Sequence, residues 1–120
     1  MSRILIVEDE EVLADSLQDI FQGEGHQVSA VYDGRQALEA LARERVDLVL
    51  LDLMLPLVDG IAILEALRRD WPTTAVIVVT ASSRTALKDL AVEGYLRKPF
   101  SLEALLRKVK AALAAPAATG

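Results

Sequence analysis

Three segments, Ile4-Leu5-Ile6-Val7, Leu48-Val49-Leu50-Leu51 and Ala75-Val76-Ile77-Val78-Val79, are apolar at every position. Strands that read this way are covered on both faces, so these three are the expected central strands of a sheet lying between helices. Gln27-Val28-Ser29-Ala30-Val31-Tyr32 alternates and Gly94-Tyr95-Leu96-Arg97 is short and mixed, which suits half-covered edge strands. Apolar spacing near 3.6 fills the intervals. Val12, Leu13, Leu17, Ile20 and Phe21 mark a first helix closed by Gly23 and Gly25, and Ala37, Leu38 and Leu41 mark a second. Ile61, Ile63, Leu64 and Leu67 mark a third that ends before Pro72. Leu102, Leu105, Leu106, Val109 and Leu113 mark the last, with Ser101 as its N-cap. A weaker helical piece spans Arg84 to Leu90.

Five strands alternating with five helices predict an α/β fold with a doubly wound, five-stranded parallel sheet. Placing the first, third and fourth strands centrally gives the flavodoxin-like order 2-1-3-4-5, whose ligands bind beyond the carboxyl ends of the strands, at the switch point between the first and third. Chemistry-bearing residues follow those strand ends: Glu8 and Asp9, then Asp52, Thr80 and Lys98. Parallel pairing gathers three carboxylates, a hydroxyl and an ammonium at one edge, a set suited to accepting a phosphoryl group.

At 120 residues and 13.0 kDa the chain is one domain. Residues 1–114 carry the pattern, and 115–120 form an Ala-rich tail expected to fray. With 13 basic against 18 acidic residues the net charge is -5, which argues against direct nucleic-acid binding or adhesion to an anionic membrane. The absence of cysteine excludes a thiol nucleophile, and His26 alone makes no His-rich metal site. The run Ile4 to Val7 is far too short for a signal core or a membrane span, so the expected location is cytoplasmic. Nothing after Ala115 resembles a DNA-binding or catalytic domain, so protein contacts are the expected output.

Each candidate residue has a plainer explanation when taken singly. An Asp past a strand caps the next helix, a Thr is an ordinary strand residue, and a Lys is usually a solvated surface charge. Together they resist those explanations. Clustered carboxylates repel one another and require a cation, a basic neighbour or a raised pKa, and oxygen ligands of this type suit Mg²⁺ or Mn²⁺. Lys98 offsets part of the charge, and Pro99 restricts the lysine backbone.

Four blocks, Ile4-Leu5-Ile6-Val7-Glu8-Asp9-Glu10, Leu50-Leu51-Asp52-Leu53-Met54-Leu55-Pro56 with Asp59-Gly60, Val79-Thr80-Ala81 and Tyr95-Leu96-Arg97-Lys98-Pro99-Phe100, resemble the receiver domain of bacterial two-component response regulators. They occur in the family's order, and the combination is far more specific than any one block. The resemblance implies that Asp52 takes a phosphoryl group from the phosphohistidine of a sensor kinase or phosphotransfer protein. It implies Mg²⁺ held by Glu8, Asp9, Asp52 and the Met54 backbone carbonyl, with Thr80, Lys98 and the small Ala81 around the phosphoryl oxygens. Thr80 and Tyr95 would form the switch, moving in concert to change protein contacts.

Two departures matter. Glu8 stands where the family more often has aspartate, and Thr80 to Lys98 spans 98 - 80 = 18 positions, about four fewer than usual for the family. Ser82 to Val92 must then supply both loops and helix, which predicts a shortened fourth helix and leaves the usual output surface in question. Two other classes fit less well. An aspartate-nucleophile phosphatase wants a second Asp where Met54 stands, and a receiver-like module working without phosphorylation has no need of the complete residue set. A nucleotide-binding loop is excluded by Val7-Glu8-Asp9-Glu10-Glu11, which has no glycine and whose acids would repel phosphates without metal.

Overall fold

A computed structural model describes residues 2–87 and 89–114; the expected tail at 115–120 lies outside the described residues. The strands are β1 (Arg3–Val7), β2 (Gln27–Val31), β3 (Leu48–Leu51), β4 (Ala75–Thr80) and β5 (Gly94–Arg97), all parallel in the order β2-β1-β3-β4-β5. This is the expected topology, with the expected strands at the edges.

The uninterrupted apolar runs work because each strand feeds two cores. Leu5, Val7, Val49, Leu51, Val76 and Val78 face one side, where Ala37, Leu41, Ile63, Leu64 and Leu67 come from α2 (Gly34–Arg43) and α3 (Gly60–Asp70). Ile4, Ile6, Leu48, Leu50, Ile77 and Val79 face the other, meeting Ala14, Leu17 and Phe21 of α1 (Glu11–Gly23) and Leu105 and Val109 of α4 (Leu102–Ala114). Burial of the hydrophobic side chains on both faces drives the fold. Helix starts are set locally: Asp33 accepts from the Gln36 N–H, Asp59 from the Ile61 N–H, and Ser101 from the Ala104 N–H, as its N-cap assignment required.

Two expectations need correction. The fourth crossover contains no α-helix among its described residues, only a 3₁₀ turn at Arg84–Leu87, so four helices rather than five surround the sheet. Leu87 is the buried anchor of this short crossover, and Leu90 and Val92 pack against the α2–α3 core. The return to β5 is pinned by Glu93, whose N–H donates to the Val76 carbonyl at 2.8 Å and whose carboxylate accepts from the Val76 N–H at 2.6 Å. Arg68 of α3 sits 3.7 Å from the same carboxylate. The second correction is Val12, whose place among the apolar residues of the first helix predicts burial but which is 83% exposed. It occupies the first turn, on the side opposite Ala14, Leu17 and Phe21, and so points away from the sheet.

Gly60 ties the fold to the strand-end residues. A Cβ built there would lie 2.3 Å from Leu53 Cα and 2.6 Å from the Asp52 carbonyl oxygen, so α3 begins pressed against the backbone that leaves β3. Gly60→Ala should therefore destabilise the protein by roughly 1–3 kcal/mol, the usual cost of overpacking, because only backbone can give way. Gly23→Ala, with nothing within 4 Å, is the control and should be neutral or mildly stabilising. Urea denaturation of both variants tests this, and a Gly60→Ala midpoint equal to wild type would contradict the packing.

Candidate functional site

Parallel register carries the strand ends to one place. Val7 pairs with Leu51, and beyond that pair the Asp52 N–H donates to the Val7 carbonyl at 3.0 Å, so Glu8 and Asp52 leave adjacent strands side by side. Thr80 pairs with Arg97, and the Lys98 N–H donates to the Thr80 carbonyl at 2.8 Å, which brings the lysine in from the edge strand. The Lys98–Pro99 peptide bond is cis.

Glu8 and Asp52 are nearly fully buried, whereas Asp9 is exposed. One carboxylate oxygen from each of the three lies within 4.8 Å of the others. This hard-oxygen donor set fits a Mg²⁺ ion, which binds through one or two carboxylates and keeps several waters. The Met54 N–H donates to Asp52 Oδ1 at 3.0 Å and fixes the rotamer of that carboxylate, while the Met54 side chain is 59% exposed.

Lys98 supplies the countercharge. Its ammonium is 2.6 Å from Glu8 Oε1 and 2.9 Å from Asp52 Oδ2. Burial is the strongest influence on Glu8 and raises it; the nearby Asp52 charge adds to that, and hydrogen bonds from Lys98 and the Glu10 N–H only partly oppose it, leaving Glu8 at about 7 against an ordinary 4.5. For Lys98, burial acts downward, yet the hydrogen bonds to Glu8 and Asp52 outweigh it and the net shift is upward.

Thr80 is completely buried, and its Oγ1 accepts from the Ser82 N–H at 3.3 Å. Ala81 is exposed beside it, so no bulky side chain closes that approach. Tyr95 reaches the same loop, its hydroxyl donating to the Ser82 carbonyl, with the Arg84 guanidinium 5.5 Å from its ring centroid. Thus Glu8, Asp9, Asp52, Met54 and Lys98 gather at one point, and Thr80, Ala81 and Tyr95 share the neighbouring loop. Three participants escaped the sequence reading: Ser82, Arg84, and Glu10, whose carboxylate lies 3.8 Å from Lys98. For Glu10 the only signal was its place directly after Glu8-Asp9, and nothing marked Ser82 or Arg84.

A buried carboxylate among further acids and an ammonium, at the switch point of a doubly wound sheet, defines a small α/β domain with a candidate cation site. Residues 4–110 match the model of the response regulator receiver domain. The chain is 40% identical over 117 residues to the response regulator ArlR of Staphylococcus saprophyticus, covering 94% of this chain and 53% of that protein. It is 38% identical over 115 residues to the response regulator MprA of Mycolicibacterium vanbaalenii, covering 92% of this chain and 50% of that protein. The chain spans about half the length of these curated relatives. Among solved structures, the response regulator TrrA of Thermotoga maritima, determined in complex with Mg²⁺-BeF, superposes with a TM-score of 0.86 at 32% identity, covering 94% of this chain and all of that one. A CheY-like receiver domain protein from Methanospirillum hungatei gives 0.89 at 29% identity, covering 94% of each chain. The protein belongs to the response regulator receiver domain family.

The raised Glu8 pKa has a stability signature in the metal-free protein. The folded state holds the Glu8 proton more tightly than the unfolded chain, so this contribution is present in full below about 4.5 and is lost as pH rises through about 7. In chelator, the stability of wild type relative to Glu8→Gln should decline across that window. Urea midpoints at several pH values measure it, and a flat difference would contradict the burial of the carboxylate.

Proposed function

We propose that this chain is a phosphoacceptor in a two-component phosphorelay, with Asp52 as the nucleophile. The observation that carries the reading is the Asp52 carboxylate itself: buried at the end of β3, fixed by the Met54 N–H, clustered with Glu8 and Asp9, and held by Lys98. An Asp52 oxygen forms the bond to phosphorus as the P–N bond of a phosphohistidine breaks, the electron pair leaving with the imidazole. A carboxylate nucleophile needs no general base.

Phosphoryl transfer of this kind is catalysed by position and charge. Glu8, Asp9, Asp52 and the Met54 carbonyl would hold Mg²⁺, with Mn²⁺ as an alternative occupant; when bound, the ion neutralises charge on the phosphoryl oxygens. Lys98 donates to one of those oxygens after releasing Asp52, and the Thr80 hydroxyl to another, while Ala81 leaves room for them. Once the Thr80 hydroxyl turns to the phosphoryl group, its link to Ser82 is strained, and Ser82 is where the Tyr95 hydroxyl is held. The signal would leave through that loop. The same residues would let the domain assist its own phosphorylation and dephosphorylation, as a signalling domain rather than an enzyme acting on a separate substrate.

The phosphodonor would be a sensor kinase or phosphotransfer protein. Among the described residues Val12, Met54, Leu57 and Leu102 are the exposed large hydrophobics, and all four stand at the sheet edge that bears Asp52: in the first turns of α1 and α4 and in the loop after β3. An apolar rim around a charged centre fits a protein donor better than a small molecule. Among the described residues no helix is long and apolar enough to cross a membrane, and the reading places the domain in the cytoplasm. Residues 1–114 would make up the receiver domain.

With Mg²⁺ and acetyl phosphate, wild type should gain one phosphoryl mass by intact-mass spectrometry and Asp52→Ala none; equal labelling would remove Asp52 from its role. Lys98→Ala should keep Mg²⁺ affinity or tighten it, since a competing cation is gone, yet bind beryllofluoride more weakly because the ligand oxygens lose their donor. Unchanged beryllofluoride affinity would place Lys98 outside the phosphoryl contacts.

The rim gives a separate prediction. Val12→Asp should slow transfer from a phosphohistidine kinase about tenfold, the cost of losing one buried valine contact, and leave acetyl phosphate labelling within about twofold. Equal slowing with both donors would mean that Val12 affects the site rather than docking.

A further inference from the structure

Lys98 has three carboxylates within reach, but two belong to the cation set. Glu8 and Asp52 each offer an oxygen to the cluster with Asp9, so any divalent ion bound there competes directly with the ammonium that now bonds both. Glu10 stands outside that set. Its Oε1 is 3.8 Å from Lys98 Nζ, and its own backbone N–H donates to Glu8 Oε2 at 3.1 Å, which fixes residue 10 against the site.

Glu10 also does not do what its position suggests. It occupies the N-cap of α1 and makes no side-chain cap hydrogen bond, whereas Asp33 and Asp59 at the equivalent places in α2 and α3 accept from their helix N–H groups. Its carboxylate is therefore free of the helix and available to the ammonium.

The geometry points to Glu10 as a positioning residue for Lys98: when Glu8 and Asp52 are taken by a divalent cation, Glu10 is the remaining carboxylate that holds the lysine at the site. The inference rests on the metal-binding reading above. Without Glu10 the ammonium, driven from its two partners, would have no nearby anion to hold it, and cation binding would be penalised by that loss. The size is that of a largely exposed pair, because the Glu10 side chain is 62% exposed.

A double-mutant cycle read by Mg²⁺ titration, using calorimetry and the amide shifts of Asp9, Asp52 and Met54, tests this. Glu10→Gln keeps the shape of the side chain and should weaken Mg²⁺ binding about threefold in the wild-type background. In a Lys98→Met background the same change should have almost no effect, because there is no ammonium to hold. Equal weakening in both backgrounds would show that Glu10 acts on the cation directly through its charge and would overturn the inference, as would no weakening in either. If wild type shows no Mg²⁺ binding at these amides, the metal-binding reading itself falls and takes the role of Glu10 with it.

Discussion

The structure turns on keeping like charges together. Glu8, Asp9 and Asp52 are brought together by the pairing of β1 with β3, and two of them are buried, where repulsion and lost hydration are most costly. Lys98 makes this tolerable by bonding Glu8 and Asp52 at once. That contact spans the sheet, from the residues after β1 and β3 to the one after β5, so the edge strand is fastened to the centre by the same ion pairs that define the site.

The surrounding fold packs closely on the loop that carries Asp52 and keeps the crossover before β5 short. Gly60 and Gly34 allow α3 and α2 to close on the backbone of the β3–α3 loop: a Cβ at Gly34 would lie 2.3 Å from the Val58 carbonyl oxygen, as one at Gly60 would from Leu53 Cα. The loop that presents Asp52 and Met54 is thus clamped from two sides. Leu57 within it adopts φ 70°, uncommon for a residue with a branched side chain, and is held there with its side chain in solvent. By contrast the β4–β5 crossover is a single 3₁₀ turn anchored by Leu87 and returned to the sheet by Glu93. This short segment stands where a full helix would, so the surface it presents differs from that of a receiver with a complete fourth helix.

Much of this was legible in the chain. The unalternating runs at Ile4, Leu48 and Ala75 determined the central strands, because a strand buried on both faces has no position for a polar residue. The mixed segments at Gln27 and Gly94 determined the edges for the converse reason. Once the order was known, the strand-end positions of Glu8, Asp9, Asp52, Thr80 and Lys98 placed them at one edge, since parallel strands share a direction. The count between Thr80 and Lys98 determined that the fourth helix was short; that a 3₁₀ turn replaced it entirely depended on Leu87 finding a core site and on Glu93 pairing with Val76.

Side-chain partnership was decided only in three dimensions. Val12 is apolar like its neighbours but lies on the face of α1 opposite Ala14, Leu17 and Phe21, and the apolar pattern does not report which side of a helix the sheet will cover. Glu10 looked like a third surface acid until the approach of Lys98, 88 positions later in the chain, gave it a cation. Ser82 and Arg84 acquire their contacts to Thr80 and Tyr95 because a shortened crossover folds back on the sheet. Periodicity records how each element divides its surface between core and water, and that is local. Which charges meet depends on loop lengths and strand register acting between segments far apart in sequence, and only the folded chain resolves it.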